Sequence, residues 1–315
     1  MTRLRVGLIG AGTMGALHAR TIASHATTDL VWIADPNRAV AEPTARKFST
    51  EWRAEPQLET VDAVVVAAPT PLHHSIALEV IRQQLPLLME KPLAESLVEV
   101  SEIVDASRHA DTPLMCGLLE RFNPAVRTAF DLCSSPEHFR SIRHSPSAPR
   151  ITTSVIGDLL IHDVDLAIRL FGRTPQSVQS LCDSSDAGQA EIIETVLDFG
   201  GKTVAALSAS RRSQRKKREL LITEPGRLIE VDILRQDITI YRHVLEAASE
   251  DEIGYQQQTV IDIPAMKYHG EPLALQLQHF TDLIAGTADL EDERSSILPP
   301  HAVIDEAAAS SLEKT

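Results

Sequence analysis

The chain is short of positive charge: 30 Lys and Arg stand against 44 Asp and Glu, a formal charge of −14 at pH 7. Binding a nucleic-acid backbone needs an extended positive surface, so nucleic acid is not expected as a partner. Cysteine is scarce. Cys116, Cys133 and Cys182 lie far apart with no CxxC pair, which offers neither a disulfide framework nor a thiolate zinc site and predicts a reducing compartment. No apolar run reaches the ~18 residues a membrane helix needs, and the N-terminus enters a strand pattern at once, without the apolar segment of a signal peptide. A cytoplasmic protein with no membrane partner is expected. Internal repeats and low-complexity stretches are absent too. What remains is an ordinary composition, 43% hydrophobic and 23% charged over 315 residues, long enough for two domains with cores of their own.

The first 118 residues alternate short apolar runs with helical periods. "LRVGLIG", "DLVWIAD", "VDAVVVAAP", "PLLME" and "PLMCGL" read as strands, with helices at 13–25, 37–48, 71–84 and 95–110 between them. Continuous apolar strands separated by helices predict a doubly wound parallel sheet covered on both faces. After "ERFNPAV" the rhythm changes. A helix at 157–171 is followed by strand candidates at 175–182, 190–199, 203–210, 218–223, 227–233, 237–242 and 257–263, with "FGGK" and "EPGR" as turns. That spacing predicts an open, largely antiparallel sheet with the helix against its inner face, and helices at 272–285 and 300–313 close the chain. The expected fold is α/β: a Rossmann domain over residues 1–120 and an α+β domain over 121–315.

"VGLIGAGTMG" places Gly10, Gly12 and Gly15 in a G-x-G-x-x-G array where the first strand meets the first helix, with Thr13 and Met14 inside the array. Glycines there permit a tight turn and let a pyrophosphate sit against backbone N–H groups at the positive end of the helix. The second strand ends in Asp35, twenty residues past Gly15, where a carboxylate accepts ribose hydroxyls and repels a 2′-phosphate. NAD is therefore the expected cofactor. NADP is the alternative, because Arg38 lies just beyond that strand and a guanidinium holds phosphate well.

Ligands of open parallel sheets bind beyond the carboxyl ends of the strands. Ala68, Pro69, Thr70, His73 and His74 follow the third strand, and Glu90, Lys91 and Pro92 follow the fourth. Lys91 has two readings, a surface lysine paired with Glu90 or an ammonium aimed at a substrate oxygen, and its place in the fold favours the second. His18, one turn past Gly15, reads as a packing residue near the cofactor. In "GDLLIHDVDLAIRLFG", a period of about 100° per residue gathers Asp158, His162, Asp165 and Arg169 in one stripe, opposite Leu160, Val164, Ala167 and Phe171. Such a stripe is either a solvated face with i,i+3 and i,i+4 pairs or a functional one. "HDVD" with His73 or His74 offers too few convergent donors for a metal site, and none is expected. The basic run "RRSQRKKR", 211–218, reads as a solvated sheet edge or as a phosphate contact.

The GxGxMG array, "EKP" at 90–92, "RFNP" and "GDLLIHDVDL" together resemble the Gfo/Idh/MocA family of NAD(P)-dependent sugar and cyclitol dehydrogenases, over essentially the whole chain. The resemblance implies a Rossmann domain followed by an open sheet whose outer face makes homodimers or homotetramers. Its catalytic lysine matches Lys91 and its D-x-x-x-H pair matches Asp158 and His162. It implies His162 as general base for a ring hydroxyl, Asp158 as its orienting group and Lys91 as stabiliser of alkoxide charge. Asp163 and Asp165 are expected to be structural, capping or pairing with Arg169. "GLLERFNPAV", "IHDVDLAIRLFG" and "RKKRELLITEPGRLIEVDILRQDITIYR" look most like the nucleotide-sugar 3-dehydrogenase branch, such as enzymes oxidising the 3-hydroxyl of UDP-N-acetylglucosamine. A diphosphate would then give Arg215, Lys216, Lys217 or Arg218 a purpose. A myo-inositol or free-sugar dehydrogenase is the nearest alternative, and a non-catalytic dinucleotide-binding regulator is the alternative of another class.

Overall fold

The computed structural model describes residues 3–147, 153–184, 189–247 and 255–312. The chain divides into two compact units: residues up to Leu119 join Glu271–Ala302, and Glu120–Gly270 join the chain from Val303 onward.

The first unit holds a six-stranded parallel sheet in the order β3-β2-β1-β4-β5-β6. Its strands are β1 (Leu4–Ile9), β2 (Thr28–Ala34), β3 (Glu51–Arg53), β4 (Ala63–Val66), β5 (Leu87–Met89) and β6 (Leu114–Cys116). The helices between them are α1 (Thr13–Ser24), α2 (Arg38–Lys47), α3 (His73–Arg82) and α4 (Leu97–His109). All of β4 and Val6–Ile9 of β1 are buried, the property that makes central parallel strands read as unbroken apolar runs. Packing is close: a Cβ on Gly7 would lie 2.3 Å from the fully buried Trp32 ring. The strand order turns back between β1 and β4, the point where such sheets open a ligand crevice. Only the short, polar β3 is missing from the sequence pattern.

Two later helices, α7 (Pro272–Ile284) and α8 (Leu290–Ser295), belong to this first unit, α7 packing on α1 and α8 on β6. The expected division into 1–120 and 121–315 is therefore corrected. Leu273, Leu277, Phe280 and Leu283 form the buried side of α7, and Arg294 of α8 donates to the Ser107 hydroxyl and the Thr112 carbonyl at 3.0 and 2.9 Å. Complementary surface, not nearness in sequence, decides where these helices go.

The second unit holds an eight-stranded sheet in the order β14-β13-β12-β11-β7-β10-β9-β8. The strands are β7 (His138–His144), β8 (Ser177–Ser184), β9 (Ala190–Asp198), β10 (Val204–Ser210), β11 (Lys217–Glu224), β12 (Arg227–Asp232), β13 (Asp237–Ala247) and β14 (Tyr255–Asp262). Neighbours are antiparallel except β7 and β10, which run parallel. "FGGK" and "EPGR" are turns as expected, with Gly200, Gly201 and Gly226 at φ +81°, +68° and +81°. The sequence reading lacks α5 (Pro124–Leu132) and β7. Arg140 and Arg143 blur the alternation of β7, because the inward Arg143 is an ion-paired core residue. For α5 a signal was present: Asn123 caps Ala125 N–H at 3.0 Å and Pro124 takes the first helical position.

One face of this sheet carries Phe139, Ser141, Ala205, Leu207, Ala209, Leu220 and Ile222, all buried. α5 packs on β12 and β13, and α6 (Ile161–Phe171) on β7 and β10. The basic run is not a sheet edge, since it joins β10 to β11, which lie on either side of β7 in the sheet's interior. The last helix, α9, spans Leu298–Leu312; residue 313 of the expected helix lies outside the described residues.

Candidate active site

In the first unit the glycine array forms the turn that the motif demands. Gly10 has φ +94°, and a Cβ there would lie 2.4 Å from the Ala67 carbonyl oxygen. A Cβ on Gly15 would lie 2.1 Å from the Gly10 oxygen, while one on Gly12 would meet nothing within 4 Å. Two glycines thus close the turn and the third leaves open backbone at the N-cap of α1, the geometry a pyrophosphate needs. Thr13 is exposed and Met14 half-buried beside it. The Asp35 carboxylate accepts the N–H of Ala11 and of Asn37, both at 2.8 Å. One bond per oxygen fixes the carboxylate and leaves lone pairs for ribose hydroxyls. Arg38 reaches Glu42, with both N–O distances 3.1 Å, and lies 5.1 Å over the Trp52 ring. Glu42 thus competes with a 2′-phosphate for that guanidinium, and the residues suit NAD.

At the carboxyl ends of β4 and β5, Ala68 and Thr70 are half-buried and Pro69 exposed. His73 is 1% exposed, its Nδ1 2.9 Å from the Pro92 carbonyl and its Nε2 2.9 Å from the Ala68 carbonyl. It braces one strand end against the next, while His74 turns to Glu102 at 2.8 Å. The less favoured reading of Lys91, a surface pair with Glu90, does not describe Glu90. Glu90 is buried and its Oε1 lies 2.7 Å from Nε2 of buried His18, while its Oε2 accepts the Lys91 N–H at 3.4 Å. Burial alone would raise this carboxyl, but His18 and the Lys91 ammonium outweigh it and hold it below the ordinary range. Gly117 supplies the room: a Cβ there would sit 3.0 Å from Glu90 Oε2. Lys91 itself is half-buried. His18 is therefore more than a packing residue.

In the second unit the stretch Ile156–Leu160 is a π-helical turn, closed by Ile161 N–H donating to the Ile156 carbonyl. The uniform α-helical period expected for 157–171 is corrected, since its first turn, which holds Asp158, is π-helical and α6 proper begins at Ile161. Such turns are rare and recur at functional sites. Asp158 is 30% exposed and ion-paired to Arg211, whose guanidinium also donates to the Thr153 carbonyl. His162 is half-buried one turn on. Asp163 and Asp165 are structural, and each is held by a buried arginine from another segment. Asp165 accepts from Nη2 and Nε of buried Arg121, one edge of the guanidinium, at 2.6 and 2.8 Å. Asp163 takes Arg143 at 2.7 Å, and Glu120 takes the same guanidinium at 2.7 Å. Burial by itself would lower Arg143, but Asp163 and Glu120 outweigh it and hold the guanidinium well above its ordinary range. Leu160, Val164 and Ala167 are buried as expected, and the Phe171 ring meets Phe199 at 4.7 Å. Among the described residues no three His, Cys, Asp or Glu side chains gather as a metal set, and no helix is long and apolar enough to cross a membrane.

A profile described as "Oxidoreductase family, NAD-binding Rossmann fold" matches residues 4–118, and one described as "GFO/IDH/MocA C-terminal domain" matches 125–231. Fold and site define the class, an NAD-binding oxidoreductase with a Rossmann unit and an α+β unit. The chain is 27% identical over 291 residues to the UDP-N-acetylglucosamine 3-dehydrogenase of Acidithiobacillus ferrooxidans, covering 90% of each. It is 31% identical over 229 residues to the inositol 2-dehydrogenase of Rhizobium meliloti, covering 67% of this chain and 69% of the relative. A solved structure of the Acidithiobacillus enzyme superposes with a TM-score of 0.84 at 25% identity, over 98% of each chain. The chain belongs to the Gfo/Idh/MocA oxidoreductase family.

Proposed function

We propose that this protein is an NAD-dependent dehydrogenase of a sugar ring CH–OH, with Lys91, Asp158 and His162 as its catalytic residues and a nucleotide sugar, oxidised at its 3-hydroxyl, as its substrate. The observation that carries the reading is the joint presence of an open dinucleotide turn, a lysine at the end of β5, and Asp158 on a π-helical turn with His162 four residues on in α6. Likeness over 90% of the chain to a UDP-N-acetylglucosamine 3-dehydrogenase supports the substrate class. Gly10, Gly12, Thr13, Met14, Gly15 and Asp35 would hold the pyrophosphate and ribose, with Arg38 and the Ala68–Thr70, His73 and Glu90–Lys91 strand ends around them. Bound NAD supplies the hydride acceptor. The His162 imidazole takes the hydroxyl proton, the general-base role for which histidine is most often used. Asp158, held by Arg211, orients hydroxyl or imidazole, and the Lys91 ammonium stabilises the developing alkoxide.

The test is NADH formation at 340 nm across UDP-sugars, inositols and free aldoses. Lys91→Ala and His162→Ala should each lower kcat by roughly 10²–10⁴-fold with NAD affinity nearly intact. Full turnover in either variant removes that residue from the mechanism. Inositol as the sole substrate would select the second reading, which the 31% identity to an inositol 2-dehydrogenase favours.

We also infer a homodimer or homotetramer formed through the second sheet. Leu181 and Val196, on neighbouring strands at one edge of the sheet, and Ile261 at the opposite edge are 61%, 47% and 58% exposed on its uncovered face, apolar side chains that a face-to-face contact would cover. Val196→Glu with Ile261→Glu should yield a monomer by light scattering. An unchanged mass would place the contact elsewhere.

A further inference from the structure

Arg218 of β11 stands directly opposite Arg143 of β7. Both project to the α6-covered face, in line with Ser141 and Leu220 two residues further along their strands. Like charges facing each other across an antiparallel pair are destabilising, so the pairing needs a counter-charge. Arg143 has two, Asp163 and Glu120. Arg211, which follows β10 on the same face, has Asp158. Among the described residues Arg218 makes no ion pair, and its hydrogen-bond partners are neutral oxygens: Nη1 donates to the His144 and Lys217 carbonyls at 2.6 and 2.9 Å, and Nη2 to the Ser145 hydroxyl at 2.8 Å. These bonds use three of five N–H groups, and the Nε–H and one Nη2–H remain on neighbouring nitrogens, a pair that meets two oxygens of one oxyanion. Burial, with Arg143 next, pushes the guanidinium down to about 10 even though Asp163, Glu120 and Asp158 pull it the other way, so an arriving anion in direct contact offsets a cost these more distant carboxylates leave. The side chain is half-buried, and the neighbouring Arg215 and Lys216 are exposed. The other cations of the run are engaged, Arg212 by Glu191 at 2.6 Å and Lys217 by Glu219 at 2.8 Å.

We propose that Arg218 anchors an oxyanion subsite on the inner face of the second sheet, taking a phosphate or carboxylate group of the substrate. Calling that group part of the substrate rests on the dehydrogenase reading above; anion binding at Arg218 does not. The experiment is calorimetric titration of the full chain, with NAD saturating the dinucleotide turn, using UDP, D-glucuronate and inorganic phosphate as probes. At least one should bind, with Arg218→Gln weakening it tenfold or more and Arg218→Lys recovering part of the loss. UDP as the responding probe identifies a nucleoside diphosphate as the source of the anion, and glucuronate a sugar acid. Thermal unfolding of both variants checks that they are folded. In parallel, the ratio of KM for the charged sugar to KM for a neutral one should rise at least tenfold in Arg218→Gln. Wild-type protein that binds none of the three probes, or variants that bind them as well as wild type, would overturn the subsite whatever the dehydrogenase assay reads. Anion binding that depends on Arg218, without oxidation of any sugar, would leave the subsite standing and remove the dehydrogenase reading.

Discussion

Glu90 is a buried acid next to the proposed catalytic lysine, and its charge has consequences for stability. Its folded pKa lies below the unfolded value, so it adds stability above the ordinary carboxyl pKa of ~4.3 that is lost as pH falls through the depressed folded value. Glu90→Gln should therefore cost roughly 1–3 kcal/mol at pH 7, where it leaves the buried His18 poorly matched, and the gap to wild type should narrow below about pH 4. Urea midpoints at the two pH values read this directly; a gap that widens in acid would mean Glu90 folds protonated. The residue scale also shows what was legible. Gly10, Gly12, Gly15 and Asp35 could be placed because a strand, a turn and a helix lie within one local unit. The bonds from His18 to Glu90 and from Arg211 to Asp158 span 72 and 53 positions, and no periodicity carries information across such distances. Asp158 and His162 could be chosen, whereas the cation that holds Asp158 could not.

Among the elements, α6 is held by charge as much as by leucine. Asp163 and Asp165 are 1% and 2% exposed, and each is locked to an arginine from another segment. Removing one partner of such a pair leaves an uncompensated buried charge, at a cost of about 3–5 kcal/mol. Asp165→Ala should lower stability by about that amount because the buried Arg121 guanidinium loses its paired carboxylate. Replacing both residues, Asp165→Leu with Arg121→Met, should restore much of the loss, as unfolding in urea would reveal. Equal losses in the single and double variants would mean that the helix is fixed by its apolar face alone. The same charges explain why β7 escaped the sequence reading: a strand recognised by apolar alternation is hidden when its core-facing residue is an arginine satisfied from elsewhere. The π-helical turn is invisible for a related reason, since nothing in "IGDLL" departs from ordinary helical composition.

For the whole molecule, the first unit is discontinuous. Its sheet and crossovers were readable from the alternation of strands and helices, but the return of α7 and α8 was not, because an amphipathic helix advertises a buried face without naming its partner. A fragment of residues 1–120 lacks the burial of Leu273, Leu277 and Phe280, side chains worth about 1.5–3 kcal/mol each. It should melt at least ~10 °C below the full chain, and a peptide of residues 271–302 should raise its midpoint. A fragment as stable as the intact first unit would show that the returning helices contribute nothing. The discontinuity also sets a schedule for biosynthesis. About 150 residues separate Leu119 from Glu271, so at ~5–20 residues per second the ribosome takes roughly 8–30 s to deliver the segment that completes the first unit. Throughout that delay the nascent Rossmann half carries uncovered helix surface, and its safe passage depends on whatever shields it in the meantime.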